Sequence, residues 1–231
     1  MTNLINIIKS SLLPAKQQQH SQPAHDLGFS KEQQGGFESI SAVLFIDLRD
    51  FAIWSQEKPP SDIIYIINQY FTAISKTVRQ CNGWVDKYMG DGVLAVFGHT
   101  SNTKKGCIEA ITAARRIDHE VKRVNSKLSK KLKKPISVGM GLHVGPLIIG
   151  LIGENNTSTM TSIGPVVNNT VNLEQLTKEK QCQIILTESV AAQSGLSFDK
   201  FQTEYVLMRD VNIPIEVFCI EAARHLPKAK I

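Results

Sequence analysis

Two aspartates close apolar stretches of this chain, Asp47 in FIDLRDF (residues 45–51) and Asp91 in VDKYMGDGVLAVFG (residues 85–98). Asp47 ends SAVLFIDL, a run with the length and branched residues of a buried strand. Asp91 lies between Gly90 and Gly92 with apolar runs on either side, the pattern of a hairpin turn whose residues tolerate positive φ. If the two strands are neighbours, both carboxylates emerge at one sheet edge. Hard carboxylate oxygens suit Mg²⁺, which takes one or two protein carboxylates and completes its octahedron with water and substrate phosphates. Paired ions can then clamp the attacking and leaving oxygens of a phosphoryl transfer. Taken singly, Asp47 reads as a strand-end residue capping the next loop and Asp91 as a turn residue. As a pair, the structural and metal-binding readings stand level. Lys87, four residues before Asp91, adds a basic group to an otherwise apolar hairpin.

Other chemistries find no support. Gly139, Gly141 and Gly145 do not make GxGxxG, and nothing matches GxxxxGK[ST], so a dinucleotide fingerprint and a P-loop are both lacking. His143 falls in the middle of an expected strand with no second His or Cys at metal spacing, and reads as a hydrogen-bonded structural residue. The four cysteines (Cys81, Cys107, Cys182, Cys219) are far apart and form no CxxC, so they read as reduced, mostly buried thiols of a cytoplasmic protein. On that reading the sequons at Asn155, Asn156 and Asn168 carry little weight.

Length and composition fit one sizeable domain with its own core, or a domain plus an appendage: 231 residues, with 42% hydrophobic content. No run is long and apolar enough to span a bilayer. The N-terminal LINIIKSSLL carries Lys9 in its middle and no convincing cleavage site, so it does not read as a signal peptide. The net charge is +5, much of it in KRVNSKLSKKLKK at residues 122–134. Such a run could meet nucleic acid or acidic lipid. Without interleaved aromatics for base stacking, it reads as a solvated helix end and loop, and no nucleic-acid partner is expected.

The elements that must position these groups follow from pattern. Residues 1–37, rich in Gln, His, Ser and Pro, read as a short amphipathic segment and a flexible linker. SAVLFIDL is a strand. SDIIYIINQYFTAISKTVRQC is a helix with Ile63, Ile67, Tyr70, Ile74 and Val78 on one stripe, opened by Pro59 and Pro60. A hairpin follows through Gly90–Gly92. A second helix spans about 103–128, with Ala110, Ala114, Ile117, Val121, Val124 and Leu128 inward. PISVGMGLHVG and PLIIGLIG read as two strands joined at Gly145–Pro146. A polar loop, a short strand into Ile163, a helix over about 166–177, the strand IILT, a short helix and two terminal strands complete residues 38–222, leaving 223–231 as a tail. This order predicts an α+β sandwich: a ferredoxin-like βαββαβ core with extra C-terminal strands, a mainly antiparallel sheet and helices on one face.

FIDLRDF, NQYF (68–71), DKYMGDGVLAVFG, GLHVG (141–145) and IGPVVNNTVNLEQLTK (163–178) together resemble the catalytic domain of class III nucleotidyl cyclases, over about residues 40–221 and in family order. The resemblance implies a head-to-tail dimer with active sites at the interface, forming cyclic nucleotide and pyrophosphate from a nucleoside triphosphate. It implies that Asp47 and Asp91, with the Leu48 carbonyl, hold two Mg²⁺ or Mn²⁺ ions, and that amides around Asp50 and Phe51 cradle the triphosphate. Glycine is usual where Asp50 stands. Lys87 matches the base-reading residue, and Thr161 stands at its partner position, often Asp in the family. A Lys/Thr pair resembles the adenine-selecting branch: an ammonium donates to purine N1, a hydroxyl accepts from the exocyclic amine, and the carboxylate that guanine would want is not in that position. Asn168 matches the ribose-orienting asparagine and Arg209 a basic residue near the terminal phosphates. Asn172 stands where the family has an arginine that stabilises the reacting α-phosphate, and Pro165 replaces a frequent Asp or Asn. Lys87 and Asp91 would then serve different sites across the dimer. The implied function is a homodimeric adenylate cyclase acting on ATP, slowed by Asn172. The alternative is a degenerate homologue that binds ATP or heterodimerises with another cyclase domain.

Overall fold

The computed structural model describes residues 36–154, 158–208 and 211–229. Its centre is β1 (Phe37–Leu48), whose residues Ala42 to Ile46 are all buried. Near-continuous apolar sequence with both faces covered is what an interior strand requires. β1 pairs antiparallel with β3 (Gly92–Phe97) on one side and β4 (Val138–Ile152) on the other. β2 (Trp84–Met89) flanks β3. Beyond β4 come β6 (Ile184–Thr187), β8 (Val211–Ile220) and β7 (Thr203–Met208), and β5 (Thr159–Ile163) pairs the far half of β4. Among the described residues only the β4–β6 contact is parallel. The expected mainly antiparallel α+β sheet is therefore present.

The helices are α1 (Phe51–Ser55), α2 (Pro60–Gln80), α3 (Thr103–Leu128), α4 (Pro165–Glu179) and α5 (Glu188–Ser194). α2 begins with proline in its first turn, where the missing N–H costs nothing. α3 is capped by Asn102, whose side chain accepts from the Lys105 amide at 2.9 Å. Its six expected inward residues are all buried. In α2 the seam is the i+4 row Ile66, Tyr70, Ile74 and Val78, each fully buried; Ile63 and Ile67 flank it and are half-buried.

Two expectations need correction. PISVGMGLHVG and PLIIGLIG form no hairpin: β4 runs unbroken through Gly145–Pro146, with Pro146 opposite Ile40 of β1. Pro146 falls between the stretch of β4 paired to β6 (Met140–Leu142) and that paired to β5 (Ile148–Ile152), a gap along the other edge where a strand tolerates a missing N–H. Nor do the helices share one face. α2, α3 and α5 cover the side lined by Leu44, Ile46 and Leu142, whereas α4 packs through Val166 on the side lined by Val43, Phe45 and Ile149. After β8, Ala223 and Leu226 still pack on the first core. No helix among the described residues is long and apolar enough to cross a membrane.

Candidate active site

The register brings the two aspartates together. Ile46 of β1 lies opposite Val93, so Asp47 follows onto the level of Gly92, immediately beside Asp91 in the β2–β3 turn. Gly92 is required there. A Cβ at 92 would sit 2.5 Å from the Phe45 ring and 3.1 Å from Asp47 Oδ1. That oxygen is buried and accepts no hydrogen bond. Burial, then the charges of Asp91 and of Glu174 on α4, push the Asp47 carboxyl up to about 7; the Leu48 amide and Arg49 pull the other way. Asp91 and Glu174 are likewise raised, chiefly by burial. Crowded acids with an unsatisfied oxygen are a site that a cation would relieve. Among the described residues no three His, Cys, Asp or Glu side chains group as a metal site. Two carboxylates and a strand-end carbonyl are what Mg²⁺ or Mn²⁺ needs when phosphates and water fill the remaining positions, so Asp47, Asp91 and the Leu48 carbonyl fit that role.

Around this pair stand groups that sequence reasoning did not single out. Arg49 donates to Thr177 Oγ1 at 2.9 Å and to the Cys182 carbonyl at 2.7 Å, anchoring its guanidinium between β1 and α4. The Tyr70 hydroxyl is buried without a partner, held protonated by burial and by the field of Asp47, Asp91 and Glu174. α4 comes this close because β4 presents glycine to it: a Cβ on Gly141 would lie 2.2 Å from the Thr170 carbonyl, and one on Gly139 would lie 2.1 Å from Glu174 Oε1. The signal was in the sequence, as two glycines on one face of a strand facing a helix. It was tested there only against a nucleotide fingerprint.

Asp50 has φ 57°, the left-handed region, which explains why a glycine serves well at this position. Its carbonyl accepts from the amides of Ile53 and Trp54 as α1 begins, and its carboxylate pairs with Lys178 of α4 at 3.0 Å. Phe51 opens α1 and meets Trp54 edge-on at 5.0 Å.

Lys87 and Thr161 both lie against Asp86 of β2. Asp86, buried between them, receives the Ser162 amide at 3.2 Å and the Ser162 hydroxyl at 2.5 Å, and pairs with Lys87 Nζ at 3.3 Å. Thr161 Oγ1 is buried near this carboxylate but makes no hydrogen bond of good geometry. The sequence reading passed over Asp86, although the alternation that buries Trp84 would have turned it inward too. On α4, Asn168 is exposed, and Asn172, one turn on, keeps its Nδ2 buried and unpartnered. Arg209 lies outside the described residues, as do the sequons at Asn155 and Asn156. His143 accepts or donates at Nδ1 to Thr187 Oγ1 over 3.0 Å.

The family model for the adenylate and guanylate cyclase catalytic domain matches residues 33–220. An adenylate cyclase of Anabaena cylindrica is 32% identical over 148 residues, which is 64% of this chain and 29% of that protein. A terminal-differentiation-specific adenylate cyclase of Dictyostelium discoideum is 30% identical over 159 residues, 69% of this chain and 7% of that protein. The chain thus spans less than a third of the length of either relative. Among solved structures, the guanylyl cyclase Cya2 superposes with a TM-score of 0.74 at 21% identity, over 84% of this chain and all of that one. The adenylyl cyclase CyaB of P. aeruginosa gives 0.70 at 21% identity, over 80% of this chain and 95% of that one. These two likenesses speak for the fold.

Proposed function

The chain belongs to the adenylate and guanylate cyclase catalytic domain family, and from that premise we propose that it converts ATP to 3′,5′-cyclic AMP and pyrophosphate at the interface of a homodimer. Asp47 and Asp91, with the Leu48 carbonyl, would hold two Mg²⁺ or Mn²⁺ ions. When bound, these supply charge neutralisation for the attacking 3′-oxygen and the leaving pyrophosphate. The left-handed turn at Asp50 would present the first amides of α1, from Phe51 onward, to the triphosphate, and Arg209, which lies outside the described residues, is assigned to the terminal phosphates by sequence resemblance. Lys87 Nζ donates to adenine N1 and Thr161 Oγ1 accepts from the exocyclic amine. Asn168 orients the ribose, and the Asn172 amide donates to the α-phosphate as charge grows there. Most of the acceleration comes from positioning and electrostatics, as is general for phosphoryl transfer.

One observation carries the adenine assignment: the Lys87 head and the Thr161 hydroxyl both lie against the Asp86 carboxylate. A guanine ring in the same pose would set its N1–H donor against the Lys87 ammonium and put a carbonyl in place of the amine, and the carboxylate nearby, Asp86, is already engaged. Dimerisation is supported by exposed apolar residues on the β4–β5 hairpin and the β2–β3 turn, with Ile148 and its cross-strand partner Ile163 both about half exposed beside Leu151, Ile152, Tyr88 and Met89. Asn172 favours a second reading. Its neutral amide is a weaker donor than a guanidinium, so the chain would bind ATP, or complete the site of another cyclase domain, with little turnover of its own. Incubating the purified chain with ATP and Mn²⁺, alone and with competing GTP, decides. Cyclic AMP above an Asp47→Ala control, suppressed little by equimolar GTP, is the expected result. Output no higher than the control would exclude the enzyme.

A further inference from the structure

β2 and β3 do not pair evenly. Val85 lies opposite Ala95 and Lys87 opposite Leu94, so Asp86 is the extra residue of a β-bulge. Bulges re-aim side chains, and this one turns a carboxylate inward immediately before a lysine that keeps its head partly in solvent. The Asp86 side chain has no exposure, against 37% for Lys87. A carboxylate so buried is costly unless its lone pairs are filled. Here Oδ1 receives the Ser162 amide and Oδ2 the Ser162 hydroxyl, while the Lys87 ammonium forms an ion pair with Oδ2 at 3.3 Å. β2 pairs with β3 and β5 with β4, so no strand ladder joins β2 to β5. Asp86 is thus the polar tie between the strand that carries Lys87 and the strand that carries Thr161.

We infer that Asp86 is a positioning residue for base selection: it fixes the Lys87 ammonium and the Thr161 strand at the spacing that adenine fits. The inference rests on the adenylate cyclase reading. A lysine head hangs from four rotatable carbons. Its ion pair with Asp86 limits where that head can sit. Thr161 Oγ1 is buried against the same carboxylate and makes no hydrogen bond of good geometry. With both carboxylate oxygens already engaged beneath the surface, Asp86 cannot swing out to accept from guanine N1–H and N2. Removing its charge frees Lys87 to move off the N1 position, which weakens ATP binding and relaxes the penalty against GTP together.

The test uses the full chain with Mn²⁺. Kinetic constants for ATP and GTP are measured beside displacement of a fluorescent ATP analogue by each nucleotide, so that slow turnover does not hide binding. Asp86→Asn is expected to raise KM for ATP roughly tenfold, the usual order for loss of a charge-assisted contact, with kcat changed little and the ATP-to-GTP preference reduced by about the same factor. Ser162→Ala, which removes one contact but keeps the charge, is expected to lower that preference about threefold; it decides the matter if Asp86→Asn melts at room temperature. A selective wild type whose folded variants keep its preference, or lose both nucleotides equally, overturns the inference alone. A wild type with no preference overturns the adenine reading and this inference with it.

Discussion

At Asn172 a buried amide nitrogen has no partner among the described residues, and on the proposed function it is the donor that would meet transition-state charge. It is short and neutral. Replacing a preorganised donor typically costs on the order of 10²–10³ in rate, and restoring charge should recover much of that. Asn172→Arg is therefore expected to raise kcat by one to two orders of magnitude with KM for ATP little changed, measured by cyclic AMP formation under saturating Mn²⁺. An unchanged kcat in a folded protein would favour the inert, binding-only reading. Asp47 and Asp91 were legible in the sequence because each ends an apolar run, and strand neighbours must bring such ends together. Asp86 was legible too, through its alternation with Trp84; Glu174 was not, because its placement depends on how closely α4 approaches β4.

At the scale of elements, α4 is the part most exposed to packing error, since it bears Asn168, Asn172 and Glu174 and touches bare backbone on β4. Gly141→Ala would drive a Cβ to 2.2 Å from the Thr170 carbonyl, a backbone atom that cannot step aside. Overpacking of this kind costs about 1–3 kcal/mol or more, and the displaced helix should also cost activity. Gly90→Ala, with φ +68° but nothing within 4 Å, should cost only about 1 kcal/mol of backbone strain. Denaturant melts of the two variants check the contrast; equal losses would contradict the account of α4. His143, inside β4, supplies a pH dependence. Burial lowers its pKa from 6.5 to about 4, so the folded chain keeps it neutral over a range where the unfolded chain binds a proton. Between pH 6.5 and 4 the unfolded state holds more protons, and this group's contribution to stability falls as pH falls. His143→Gln should flatten the loss of melting temperature on going from pH 7 to pH 5; parallel curves would contradict it. The helices and most strands were legible from periodicity. The continuity of β4 through Pro146 was not, since a proline marks a turn in sequence and its tolerance depends on which edge lacks a partner.

For the whole molecule, the basic stretch is drawn into the fold rather than presented as a patch: Lys131 pairs with Asp62 at 2.6 Å, Lys133 with Glu57 at 2.8 Å and Lys122 with Asp118 at 3.0 Å. Exposed ion pairs of this kind add little stability, but they leave less free charge for an acidic partner. Exposed apolar residues on the β4–β5 hairpin and the β2–β3 turn offer the surface on which the proposed dimer would form. The central claim is that the metal-binding acids of one protomer work with the base-reading groups of its partner. Mixing inactive Asp47→Ala with inactive Lys87→Ala tests it most directly, because a mixed head-to-tail dimer rebuilds one intact site and leaves the other doubly broken. With random pairing in a two-fold dimer, cyclic AMP formation should return to about a quarter of the wild-type rate. If the mixture stays as inactive as either variant while sedimentation shows that mixed dimers form, the composite site is refuted.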